Sequence, residues 1–273
     1  MTSSNPVSLD ALPPSMFWTP EDFRPSSWLG HIPFAFWIVD ALRPRSIVEL
    51  GTWHGMSYLA FCQAVKTLGL DTWTVAVDTW QGDHQAGSLD PEAYTSLRAA
   101  HDPKYSAFSR LLRCTFDEAL NQVEDGSVDL LHIDGLHTYD AVKHDFESWF
   151  PKLSDRAVVL FHDTYETHAD FGVHRFWAEV AASYPHLEFH HEHGLGVLGV
   201  GANLPDTVRS LLTDATRQDA ARAAFSRLGE GFERRQVENE LRGKLRYIRN
   251  RRLMRWGRTV REKVLRRPST AME

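Results

Sequence analysis

Apolar and polar positions along the chain change period repeatedly. Apolar runs of strand length occupy residues 46–50, 73–78, 111–115, 127–134, 157–162, 187–191 and 195–200, and are rich in Val, Ile, Leu and aromatics, as buried strands require. Stretches with apolar residues at helical spacing lie between most of them, at 56–68, 138–153 and 173–184. A further helical pattern over 31–42 is stopped by Pro44. This alternation predicts an α/β fold with a doubly wound, mostly parallel sheet. The last two strands are joined by Glu-His-Gly-Leu-Gly with no helix between them, so they are expected to pair as an antiparallel hairpin at the sheet edge. Residues 1–45 read as an irregular cover and a helix, 46–201 as the α/β domain, and 202–273 as an extension of two polar helices, 206–227 and 232–266.

In such a sheet, ligands bind in the crevice beyond the carboxyl ends of the strands, so the strand ends are where chemistry is sought. The first ends in VELGTWHGMS, in which Gly51 and Gly55 bracket a tight turn into a helix and Glu49 stands at its rim. The missing side chains let a ligand approach the backbone. The spacing is not the G-x-G-x-x-G of a pyrophosphate-binding turn, which favours S-adenosylmethionine over NAD. The second strand ends in VAVDTWQGD, placing Asp78 where a ribose needs an acid and Trp80 where an indole could pack on adenine. A literal G-x-G-x-x-G at Gly194, Gly196 and Gly199 falls in the edge hairpin with no helix after it, so it is set aside.

The fourth and fifth strands end in Asp134 and in His162–Asp163, and His137 follows three residues after Asp134. Neighbouring strand ends bring Asp134, His162 and Asp163 together as oxygen and nitrogen donors for a divalent cation, with His137 above them as a base. Individually, Asp134 could instead cap the helix that follows, and His162 could be a satisfied buried residue. His132, His190, His191 and His193 read as structural or solvent-facing.

VELGTWHGMS, VAVDTWQGD, LHIDGLHTYDAVKHDF and VVLFHDT together resemble the class I S-adenosylmethionine-dependent methyltransferases, of the branch related to catechol O-methyltransferases, macrolide sugar O-methyltransferases and cephalosporin hydroxylase-like proteins. The resemblance covers about residues 46–201. It implies a seven-stranded sheet with its last strand reversed and cofactor contacts at Glu49, Gly51, Trp53, Gly55, Ser57 and Asp78. It also implies magnesium held by Asp134, His162 and Asp163, with His137 as base. One position departs from the family, where a carboxylate usually precedes the final acid: His162 is a softer ligand, suited to a softer cation than magnesium. The function expected is methyl transfer from S-adenosylmethionine to a hydroxyl of a glycan or glycosylated metabolite. Two alternatives remain beside it, a non-catalytic cofactor-fold module organising glycan assembly and a metal-dependent hydrolase.

Composition refines this picture at two points. The net charge of −6 conceals twelve Lys or Arg and one acid over 242–267, so the rest of the chain is strongly acidic. An acidic body argues against nucleic acid as a ligand, whereas the basic stretch has the amphipathic pattern of a helix that lies on an anionic membrane surface. The amino terminus lacks a signal-peptide pattern and no apolar run reaches ~20 residues. A cytoplasmic protein is expected, peripheral to the membrane at most, acting on a small-molecule or glycan acceptor, with a homo-oligomer left open. Cys62 and Cys114 form no metal-like pair.

Overall fold

The computed structural model describes residues 13–85, 87–88, 91–168 and 170–265. Helix α1 (Ile32–Leu42) leads into β1 (Ser46–Leu50), α2 (Met56–Leu68) and β2 (Trp73–Asp78). A two-residue hairpin, β3 (Gly82–Asp83) and β4 (Gly87–Ser88), is followed by α3 (Ala93–Tyr105), β5 (Ser109–Arg113) and the short α4 (Phe116–Ala119). Then come β6 (Val128–Ile133), α5 (Tyr139–Trp149), β7 (Leu153–His162), α6 (Val173–Ala181), β8 (His186–Phe189) and β9 (Leu195–Gly199), and finally α7 (Asp206–Thr213) and α8 (Ala215–Leu265).

Seven strands form one sheet in the order β5-β2-β1-β6-β7-β9-β8. The β1–β2, β1–β6, β2–β5 and β6–β7 pairs are parallel, and β9 runs antiparallel to both its neighbours. The edge hairpin is therefore present, with β9 inserted between β7 and β8. The chain leaves β1 toward β2 on one side and returns as β6 on the other, so the topological switch lies between β1 and β6. β1 and β6 are buried at every residue, as a central parallel strand covered on both faces must be. One apolar cluster joins the sheet to α5 and α6 through Val48, Leu131, Phe146, Trp149, Phe161 and Trp177. A second packs α2 and α3 around Tyr58, Leu59, Leu97 and Tyr105.

The chain divides into two compact units at Glu230/Gly231. The extension holds one short helix and then a 51-residue helix, α8, rather than a break near residue 230. Among the described residues no helix is long and apolar enough to cross a membrane.

The rejected glycine pattern has a packing explanation. A Cβ at Gly196 would press on the Trp177 ring and one at Gly199 on Leu204 and Leu212. These glycines serve close packing of β9, not a phosphate.

Candidate active site

The β1–α2 turn is held by backbone geometry that few residues tolerate. Gly51 has φ +85°, and a Cβ there would overlap the Asp134 carbonyl oxygen; glycine is what lets β6 end beside β1. Gly51 donates to the Val77 carbonyl and Asp134 to that of Leu50, each through its backbone N–H. Gly55, at φ +82°, leaves space that Leu97 fills. Asp78 closes the turn: Oδ2 accepts from the backbone N–H groups of Thr52 (2.8 Å) and Trp53 (2.9 Å), and Oδ1 from that of Trp80 (2.6 Å). Its carboxylate thus shapes the loop as well as facing the cavity beside it.

That cavity, about 740 Å³, opens over the switch point. Its lining takes Gly51, Trp53, Gly55, Ser57 and Asp78 from the ends of β1 and β2 and Asp134, His137 and Asp163 from those of β6 and β7. Glu49 and Trp80, both expected at the cofactor, are not among its lining residues. Glu49 is fully buried and pairs with His132 Nδ1 at 2.9 Å, because Glu49 and His132 are register partners across β1 and β6. Burial, offset in part by His132, raises its pKa. Trp80 packs on Tyr94 and donates its indole N–H to the Trp53 carbonyl. His162 lies outside the lining as well, fully buried beneath Asp134 and Asp163.

The β6–β7 register pairs Ile133 with Phe161, so one step further sets Asp134 beside His162. Their Oδ1 and Nδ1 atoms are 3.2 Å apart. Asp163 follows in the left-handed region (φ 62°), a conformation that Asp adopts more readily than most residues and that clusters at functional sites. Its Oδ2 lies 3.1 Å from His162 Nδ1 and 2.9 Å from His137 Nε2. Asp134 is not the cap of α5: Thr138 fills that role, its side chain accepting from the Ala141 N–H.

Two carboxylates and two imidazoles therefore share one small volume. Burial disfavours charge on all four, yet mutual pairing outweighs it. His162 holds Asp134 well below the usual carboxylate range and Asp163 is likewise lowered, while His162 is pushed well above its ordinary value. For His137, burial pulls downward but hydrogen bonding to the carboxylates of Asp134 and Asp163 raises the pKa to about 9. Ligand atoms of Asp134, His162 and Asp163 lie within 4.8 Å of one another, with His162 Nδ1 the ring nitrogen that faces both carboxylates. Two hard oxygens and one imidazole nitrogen converging in this way fit a divalent cation.

Several cavity residues carry no motif. His137 stacks on Phe171 (centroids 4.8 Å apart, planes 5° apart) and its backbone N–H and Nδ1 meet Gln85 Oε1. At the rim, Glu166 joins His193 (2.5 Å) and His168 (3.2 Å). His193 is exposed, as expected of a solvent-facing residue, and also lines the cavity. One constellation is a decoy. His101 joins Ser109 Oγ (2.6 Å) to Asp102 (2.9 Å) in a Ser-His-Asp arrangement. Ser109 and His101 are buried, however, and none of the three lines this cavity.

Residues 48–164 match the family model described as a methyltransferase domain. The uncharacterized protein y4gI of Sinorhizobium fredii is 52% identical over 219 residues, spanning 79% of this chain, which itself covers only 24% of that relative's length. Cofactor-bound Rv0187 from MTB superposes with a TM-score of 0.50 at 16% identity, covering 66% of this chain and 83% of that one. The O-methyltransferase TomG of Streptomyces achromogenes, solved in complex with SAM, gives a TM-score of 0.46 at 17% identity over 66% and 83% of the two chains.

Proposed function

We infer that this chain, whose residues 48–164 match a methyltransferase-domain model and whose sheet is Rossmann-like, is an O-methyltransferase of the class I S-adenosylmethionine-dependent family. The observation that carries this reading is the single cavity running from the Gly51–Gly55 turn and Asp78 to His137 and the Asp134–His162–Asp163 cluster.

The cofactor would lie over the ends of β1 and β2, its ribose toward Asp78 and its methionine portion along the turn. Ser57 lines the cavity at the first turn of α2, where helix N–H groups favour a carboxylate. The sulfonium methyl then points to the His137 end, where an acceptor hydroxyl would sit. In its neutral form, which a pKa raised to about 9 makes the minor one at neutral pH, His137 takes the hydroxyl proton at Nε2, between Asp163 (2.9 Å) and Asp134 (3.7 Å), and the two carboxylates stabilise the imidazolium formed. Orientation of oxygen, methyl and sulfur in line supplies the largest share of the acceleration. Asp134, His162 and Asp163 would hold a divalent cation, whose chemistry is to lower the pKa of a nearby hydroxyl.

A sugar acceptor is supported by the acceptor end of the cavity. There Glu166, His168 and His193 supply a polar rim for several hydroxyls. Peripheral membrane contact is supported by Val237, Leu241, Leu245 and Ile248, exposed at one-face spacing on α8 and running into the basic stretch.

The test is transfer of labelled methyl from S-adenosylmethionine to a panel of sugars, glycans and phenols. An alkali-stable label on a hydroxyl oxygen, absent with His137→Ala, is the expected result. S-adenosylhomocysteine binding with no transfer to any acceptor would favour a non-catalytic module.

A further inference from the structure

We propose that Gln85 is a positioning residue of this centre: its carboxamide oxygen holds the Nδ1–H of His137 and so commits Nε2 to face Asp163 and the acceptor. The inference rests on reading His137 as the base.

Gln85 lies in the turn between β3 and β4, 52 residues before His137. Its Oε1 accepts from the His137 backbone N–H at 2.9 Å and stands 3.1 Å from Nδ1. The orientation of the amide is settled by its neighbours. A backbone N–H meets one end, and at the other Nε2 donates to the Asp170 carbonyl at 3.0 Å, so the oxygen must be the end on His137. A carboxamide oxygen only accepts, so the nitrogen it meets must carry hydrogen.

The ring has no other stable setting. Its plane lies on Phe171, and its backbone is pinned by the Gly172 N–H donating to the His137 carbonyl at 2.7 Å. A rotation about the ring axis would exchange both nitrogens for carbon positions against Gln85 and Asp163, losing the two contacts that the ring makes there. Gln85 also ties the β3–β4 turn to the segment bearing Phe171 through Asp170, so the clamp on His137 is assembled from two loops. Groups that orient a functional histidine from behind typically change its effectiveness 10–100-fold.

Two substitutions separate orientation from mere loop tethering. Gln85→Glu keeps oxygens for both His137 N–H groups but cannot donate to Asp170; Gln85→Leu keeps the bulk and loses both functions. In full-length protein labelled with [15N]histidine, and with His137→Gln giving the assignment, wild type and Gln85→Glu should show a solvent-protected Nδ1–H signal for His137. Gln85→Leu should lose that signal while still binding S-adenosylhomocysteine. Where methyl transfer is followed, kcat should fall about 10–100-fold in Gln85→Leu and recover in Gln85→Glu, with cofactor affinity unchanged in both. An unchanged signal in Gln85→Leu, or equal loss in both variants, would overturn the proposal. Wild-type transfer by His137→Ala would instead overturn the reading on which it rests.

Discussion

His137 Nε2 and Asp163 Oδ2, 2.9 Å apart at the floor of the cavity, belong to different strand–loop units and meet only because β6 and β7 are parallel neighbours. That pairing sets the electrostatics of the site. In the absence of a cation the imidazole is charged at neutral pH, since its pKa is raised to about 9.

The sign of the linkage follows. A histidine whose folded pKa exceeds its unfolded value of ~6.5 adds stability that is fully present below pH ~6.5 and is lost as pH rises through about 9. Melting temperature without divalent cation should therefore decline across this window, and less so in His137→Gln. A cation on Asp134, His162 and Asp163 must displace protons, so calorimetry in buffers of different ionisation enthalpy should record proton release on binding. Cation binding without proton release would contradict this charge assignment.

Gly51→Ala should be costly. The substituted Cβ would overlap the Asp134 carbonyl at a φ of +85°, an arrangement unfavourable for both space and backbone, so a loss above ~1 kcal/mol is expected in urea unfolding. Gly69→Ala, at φ +60° with open space around it, should lose less. Equal losses would mean that the β1–β6 approach is not the constraint.

Asp145, on α5, supplies a further test. Burial raises its carboxyl to about 7, so its acid form is favoured in the folded protein. Stability is then lost as pH rises from ~4 to about 7, each pKa unit corresponding to ~1.4 kcal/mol. Asp145→Asn should stabilise the protein, and by more at pH 8 than at pH 5. A stabilisation independent of pH would contradict the raised pKa.

Much of this was legible in the residues, for identifiable reasons. β1 and β2 fall at the residues their apolar runs occupy, because a buried parallel strand leaves a continuous apolar signature. Asp134, His162 and Asp163 were legible as polar residues ending such runs, and the parallel register brings them together. Helix α3 was not, because its sequence is polar and contains Pro103. The continuity of α8 past Gly229 and Gly231 was missed because glycine ordinarily marks a helix end, a weak preference that context overrides. Glu49 was placed at the ligand because its position in the turn motif is visible, whereas the partner that buries it, His132, is set by cross-strand register. Gln85 and Phe171 sit in loops, act through tertiary contact, and leave no periodic trace.

The central claim is that the β1–β2 end of the cavity binds S-adenosylmethionine, and titration calorimetry with S-adenosylhomocysteine tests it most directly. Wild-type protein and His137→Ala should bind one equivalent with similar affinity. Asp78→Ala should bind more weakly by ~1.5–3 kcal/mol, the cost of losing hydrogen bonds to a charged acceptor. No binding by the wild-type chain, or unchanged affinity in Asp78→Ala, would contradict the account.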